Sequence, residues 1–287
     1  MISYNPKDWF SFIFRFHKAD TFRQLLPIII CIGIYTGIIA FLEIEYFKLS
    51  ENHHLKNITI MHSMLGFVIS LLLVFRTNTA YDRWWEGRKQ WGSLVNSSRN
   101  LALKLSAILE LKEDKLFFRK AIPYYAQALN LHLKDEKISQ ELFEEFNINI
   151  DHKKHKPNQL MKLIMKKVYE LKKANKLTNE QLLFINLELT AFTDICGACE
   201  RIKNTPIPYS YSVFLKKFIF FYVMTLPFGY VFNLGYYTIP VVIFIFYVLA
   251  SLELIAEEIE EPFGNDENDL PTQRMAENIK KNIEELL

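Results

Sequence analysis

Ile58–Leu109 reads ITIMHSMLGFVISLLLVFRTNTAYDRWWEGRKQWGSLVNSSRNLALKLSAIL, and the stretch contains no proline. Its first part, Ile58–Phe75, is mostly apolar and carries one titratable side chain, His62. About 20 such residues in a helix cross a hydrocarbon core. After Phe75 the residues turn polar and charged yet keep helical character, weakened at Gly87 and Gly92. At 1.5 Å per residue, one helix over this stretch extends roughly 75 Å, against an apolar bilayer thickness of about 30 Å. The pattern predicts a membrane span that continues as a helix into water.

Three further runs flank it. Leu25–Leu42 (LLPIIICIGIYTGIIAFL) contains no charge, and Pro27 is expected in its first turn, where a missing N–H costs little. Phe218–Leu234 and Thr238–Ala256 are separated only by Gly235-Tyr236-Tyr237, as in a tight helical hairpin. Lysine and arginine collect on the cytosolic side of spans. Lys7, Arg15, Lys18 and Arg23 precede the first span, and Arg76, Arg83, Arg88 and Lys89 follow the second. Both termini are therefore expected in the cytoplasm, the protein in the plasma (inner) membrane, and Arg76–Lys217 on the cytosolic side. The expected organisation is 1–75 with two spans, 76–217 as a cytosolic helical domain, 218–256 with two spans, and 257–287 as an acidic tail.

Half of the 287 residues are hydrophobic and 23% are charged, so a near-zero mean hydropathy hides two environments. A formal net charge of +2 gives no basic face for nucleic acid. Three cysteines are too few and too clustered for a secreted disulfide framework. The opening MISYNPKDWFSFIFRFHKAD lacks the apolar core and small-residue cleavage site of a signal peptide. In the cytosolic part, Leu160, Leu163, Ile164, Val168 and Leu171 recur at the spacing of an amphipathic helix. Thr178 with Gln181 three residues on is a capping-box signature opening a helix over 178–201. Lys134–Asn158 is charged and reads as a surface excursion. Strand alternation is absent, and the fold class is all-α: a multi-pass transmembrane helical protein with a cytosolic helical domain.

Chemistry-bearing clusters are few. Cys196-Gly197-Ala198-Cys199 is a C-x-x-C without a second pair or a nearby histidine, and reads as packing thiols in a helix rather than zinc or redox chemistry. His152 and His155 in DHKKHKPN could chelate a metal, but a solvated loop is the better reading. His62 is either an intramembrane functional group or a side chain reaching water near a helix end. Glu253, one turn before Glu257, reads as snorkelling to the inner surface. Arg83-Trp84-Trp85-Glu86, with Trp91 one heptad beyond Trp84, suits packing of juxtamembrane helices, with Asp82, Arg83, Glu86 and Lys89 paired at helical spacing. No arrangement of nucleophile and base points to an enzyme.

The stretch LGFVISLLLVFRTNTAYDRWWEGRKQWGSLVNSSRNLA resembles the bestrophin family, especially its bacterial branch. The resemblance rests on Leu65-Gly66-Phe67, on Arg76 followed by Tyr81-Asp82 with Arg83, Trp84 and Trp85, on Cys196-Gly197 with Ile207-Pro208 and Tyr211, and on Pro262-Phe263-Gly264-Asn265-Asp266 with Asp269. It implies a homopentameric ion channel in a lipid bilayer, with the second span lining an axial pore. It places a pore neck at Thr59, Ser63 and Phe67, where Thr and Ser depart from the family's large apolar residues. It places a cytosolic aperture at Glu180, with Leu183 as the alternative if the register slips. Chloride and other anions are the family default; a ring of glutamates at the exit would favour monovalent cations. Asp266 and Asp269 match side-chain ligands of calcium-gated relatives, with Asn265 and Asn268 in place of neighbouring acids. No other cofactor is expected. The alternative function is a membrane-anchored interaction or scaffold protein without channel activity.

Overall fold

The computed structural model describes residues 21–48, 58–137 and 154–287, and among these residues there is no strand. Eight α-helices follow one another among them: α1 (Thr21–Phe41), α2 (Ile58–Ile108), α3 (Lys112–Leu133), α4 (Lys156–Lys173), α5 (Asn179–Asn204), α6 (Tyr209–Leu234), α7 (Thr238–Glu260) and α8 (Thr272–Leu286). The described residues of Ile2–Asp82 and Pro206–Glu260 form one compact unit, and Arg83–Thr205 with Glu261–Leu287 form the other. The 51-residue α2 is continuous through the division at Asp82.

In the first unit, α1, α6 and α7 pack together with the first half of α2 around Ile29, Ile32, Ile69, Leu73, Val223, Leu226 and Val242. The core is apolar, as is much of the outer surface, where Ile30, Ile34, Ile38, Phe221 and Phe244 are exposed. In water such a surface would not persist; in lipid it is the expected exterior. α1 already runs from Thr21, so Pro27 lies inside the helix rather than in its first turn. The helix ends in a single π turn, Leu42–Tyr46. α6 and α7 also outrun their apolar stretches, because Lys216 pairs with Glu257 at 2.9 Å where the helices become polar. A 3-10 turn at Gly235–Tyr237 joins them. Gly235 has φ +53, a conformation glycine adopts without Cβ strain.

In the second unit, α3 packs against α8 and α4, and α4 against α5. The amphipathic pattern of α4 buries Leu160, Ile164, Val168 and Leu171 as its spacing requires. The capping box at Thr178 is formed in both directions. By length and composition α5 could itself cross a membrane, as could Thr21–Tyr46, Ile58–Ile108 and Tyr209–Glu260. Its apolar side is instead spent on this unit's core, where Ile185, Leu189, Phe192 and Cys199 are buried beside Tyr125 and Val168. Asp114, buried at the start of α3, accepts from Lys167 and Lys176, each at 2.7 Å. Burial alone would raise its pKa, but the two ammonium groups outweigh that and hold it below the usual carboxylate range.

Gly87 shows why α2 tolerates a poor helix former. A Cβ there would meet the Phe263 ring at 3.0 Å and Leu270 at 3.2 Å. At Gly197 on α5 an added Cβ meets nothing within 4 Å. Thermal unfolding of the full chain should therefore separate the two: Gly87→Ala is expected to destabilise by about 1–3 kcal/mol through overpacking. Gly197→Ala is expected to stabilise by up to about 1 kcal/mol through helix propensity.

Candidate functional site

The exposed faces of α2 and α5 carry the same spacing. Along α2, Ser63, Phe67, Ser70, Val74, Thr77 and Tyr81 alternate by four and three residues, a seam that keeps to one side of a gently supercoiled helix. All but Thr77 are exposed, Phe67 at 71%. The opposite side buries His62, Ile69, Leu73, Arg76 and Ala80. Of the three expected neck residues, Ser63 and Phe67 lie on the exposed seam. Thr59 is half-buried, and its hydroxyl donates to the Gly229 carbonyl at 3.3 Å. Met64, beside the seam, is exposed as well. Ser63 and Ser70 return their hydroxyl protons to the carbonyls four residues back, at 3.1 and 2.7 Å. That self-satisfaction lets a hydroxyl sit in an apolar stretch.

On α5 the corresponding stripe is Glu180, Leu183, Leu187, Thr190, Asp194 and Gly197, all exposed. Glu180 and Leu183 share this face one turn apart, so they are successive levels of one surface. Leu187, at 70% exposed, is the next and was not singled out from the sequence, although the three-four spacing was there to be read. Glu180 sits in the first turn after the Thr178 cap. Backbone N–H bonding and the Thr178 hydroxyl hold its carboxyl below the usual range, so it is ionised at neutral pH.

The Arg76-to-Trp85 run is dispersed by the structure into separate tasks. Arg76 is buried, with a guanidinium nitrogen 2.7 Å from Glu260 and Nε 3.5 Å from Glu253. Glu253 is thus buried against Arg76 in α7 rather than snorkelling, because α7 turns that face toward α2. Arg83 donates to the carbonyls of Ile202 and Thr205, closing the C-terminal end of α5. Glu86 pairs with Arg201 of α5 at 2.6 Å, a long-range partner that helical spacing does not reveal. Trp84 donates its indole N–H to the Asn268 carbonyl at 3.1 Å. Tyr81, Asp82 and Trp85 are exposed. His62 is fully buried, with Nε2 2.9 Å from the Thr225 hydroxyl, and does not reach water within the subunit. Gly66 is where the Tyr222 hydroxyl comes closest: a Cβ would lie 2.7 Å from it.

Comparison with known proteins matches residues 1–285 to the Bacterial/Fungal Bestrophin protein family. The chain belongs to the bestrophin family. It is 34% identical over 290 residues to a voltage-dependent anion channel-forming protein of Nostoc sp., covering 98% of this chain and 92% of that one. A protein of the same description from Synechocystis sp. is 30% identical over 295 residues, covering 99% and 94%. Among solved structures, a bacterial bestrophin homologue from Klebsiella pneumoniae superposes with a TM-score of 0.77 at 25% identity, covering 90% of this chain and 96% of that one.

The residues that the resemblance implies for calcium lie in the loop after α7. Asp269 is 2% exposed, and its Oδ2 accepts from the Asp266 backbone N–H at 2.6 Å while Oδ1 has no hydrogen bond. The Lys134 ammonium lies 2.8 Å from the Asn265 side-chain oxygen, beside the loop a calcium ion would share. Among the described residues, Asp266, Asp269 and their acidic neighbours do not gather three side-chain ligand atoms, so a shell of six to eight oxygens would draw on backbone carbonyls and water. The loop as folded holds unengaged carboxylate oxygens at Asp269 and Glu267, with the Lys134 ammonium as a competing cation. Cys196 and Cys199 are buried free thiols, as the packing reading required. Burial pushes Cys196 up to about 12, which keeps it protonated and inert. His152 lies outside the described residues.

Burial, reinforced by the charges of Asp266 and Glu261, pushes Asp269 up to about 6 despite the Asp266 N–H. An aspartate in the unfolded chain titrates near 3.9, so the folded state binds the proton more tightly and folding is penalised as pH rises through about 6. Stability should therefore increase as pH falls from 7 toward 5. Asp269→Asn should remove that component of the pH dependence and raise the melting temperature at pH 7.5.

Proposed function

We propose that this bestrophin chain is the pore-forming subunit of a homopentameric ion channel, with the α2 seam facing a shared axis. One observation carries the reading most directly. A helix long enough to cross the bilayer and continue beyond it presents a regular seam of hydroxyl and bulky side chains that its own subunit leaves exposed. Symmetric assemblies bury such a seam around their axis. Single-subunit packing offers the seam no enclosed pathway, so conduction requires copies. Native mass measurement in mild detergent is expected to give five chains per particle; monomers and dimers alone would count against the pentamer.

The distribution of Lys and Arg supports a plasma (inner) membrane orientation with both termini in the cytoplasm. Phe67 is the bulkiest member of the seam within the apolar run 58–75 and is assigned to the neck, with Ser63 above it and Thr59 at its margin. Glu180 and then Leu183 form successive rings at the cytosolic exit. The relatives' descriptions support anion conduction. Glu180 supports a second reading, cation conduction, because five ionised carboxylates in a narrow aperture attract cations and repel chloride. Calcium at Asp266 and Asp269 remains a proposal of the family resemblance, and calorimetry showing no binding at millimolar calcium disposes of it. A membrane-anchored scaffold is excluded by ion flux from purified chain in liposomes without added partners.

Reversal potentials under asymmetric sodium chloride test the assignment. Glu180→Gln should move the reversal potential toward the chloride equilibrium value. Acidification should do the same in the unmutated protein, because mutual repulsion among five clustered carboxylates raises some of their pKa values. Phe67→Ala should raise conductance; an unchanged conductance with Phe67→Ala and a changed one with Met64→Ala would shift the register by one residue.

A further inference from the structure

Three side chains from three helices of the second unit converge at a point the channel reading does not use. His132 stands in the last turn of α3, His155 caps the start of α4, and Glu200 lies near the end of α5. Both Nε2 atoms address the same carboxylate oxygen of Glu200, at 2.7 Å from His132 and 2.5 Å from His155. The two imidazole rings lie 4.5 Å apart. All three ligand atoms fall within 4.8 Å of one another, and among the described residues no other trio of histidine, cysteine and carboxylate groups does so. Each side chain is about 28–30% exposed, so solvent reaches the cluster without unfolding. An open pocket of about 550 Å³, lined by Thr193, Cys196, Gly197 and Glu200, adjoins it.

We infer that His132, His155 and Glu200 form a binding site for a divalent first-row transition ion of the zinc type, held by two imidazole nitrogens and one carboxylate oxygen. Hard ions such as calcium and magnesium prefer all-oxygen shells, whereas imidazole with carboxylate suits zinc. Bonds of about 2.0–2.1 Å in a tetrahedron set ligand atoms about 3.3 Å apart. The present 2.5 and 2.7 Å separations widen to that value by small side-chain rotations. The fourth position opens toward solvent and takes water. The Glu200 carboxylate remains an anion at neutral pH because hydrogen bonds from the two histidines outweigh its burial.

The bond that opposes the ion is local. His155 Nδ1 accepts from the Asn158 backbone N–H at 3.2 Å, which places the ring proton on Nε2. Metal on Nε2 moves that proton to Nδ1 and gives up this long cap. In exchange the ion ties the end of α3, the start of α4 and the end of α5 together, so it should stabilise the unit that carries the Glu180 face.

The test uses the full-length chain in detergent, freed of any histidine tag and stripped with EDTA. Calorimetric titration with Zn²⁺ should give one site per chain and a higher melting temperature, as expected for a ligand that binds only the folded state. Co²⁺ should give the intense visible bands of a four-coordinate site. His132→Gln, His155→Gln and Glu200→Gln should each weaken binding by more than the roughly 10- to 100-fold that losing a mere supporting partner costs. The metal-free melting temperature of each variant reports folding separately. Binding that persists in both histidine variants but disappears in His53→Gln/His54→Gln or His152→Gln overturns the assignment. So does the pale spectrum of six-coordinate Co²⁺, or no zinc retained at millimolar concentration.

Discussion

The buried charge of Arg76 constrains the membrane unit more than any other group. A guanidinium removed from water costs several kcal/mol unless anions compensate it, and here Glu260 and Glu253 of α7 do so. The 2.7 Å contact to Glu260 is a charge-assisted hydrogen bond, while Glu253 at 3.5 Å contributes Coulombic attraction without one. The pair fixes which face of α2 turns toward α7. His62, Ile69, Leu73 and Ala80 must then lie on the buried side, and Ser63, Phe67, Ser70 and Val74 on the exposed one. Losing Arg76 would leave two carboxylates without a compensating cation, a cost on the order of 3–5 kcal/mol.

Given that orientation, the length of α2 does the rest. A helix satisfies its own backbone hydrogen bonds wherever it runs, in lipid or in water, so it can cross from one environment to the other without a break. The price is that its exposed side must suit both. Hydroxyls bonded to the preceding turn meet that requirement, at Ser63 and Ser70 within the apolar run and at Thr77 and Thr79 just beyond it. Where the helix enters the second unit, Gly87 lets Phe263 and Leu270 approach the backbone, and the buried Trp91, Leu94, Leu101 and Leu105 fill the core beyond.

Helix ends govern the second unit. The α5 N-terminus is capped by Thr178 and Gln181, and the α5 C-terminus is closed by Arg83. The same helix end carries Glu200 to His132 and His155. A residue read as part of a family motif, Arg83, therefore acts by positioning α5, whose exposed face bears Glu180, Leu183 and Leu187.

The sequence by itself determined that this chain is helical, that it carries apolar runs long enough to span a bilayer, that α2 outlasts the membrane, and that Thr178 opens a capped helix. These are properties of local composition and of a 3.6-residue period, which need no distant partner. The exposed seams on α2 and α5 were also legible as three-four spacing, once the buried side was known. Only the tertiary structure decided that side, because α2 is apolar around most of its circumference in the membrane and its pattern does not choose a face. It alone paired Arg76 with Glu260, turned Glu253 inward, and engaged Asp269 with the Asp266 backbone. It brought His155, which reads as a loop residue, to His132 and Glu200, 23 and 45 residues away in the chain. Such contacts join residues far apart in sequence, and their energy comes from burial and charge compensation that no local pattern records.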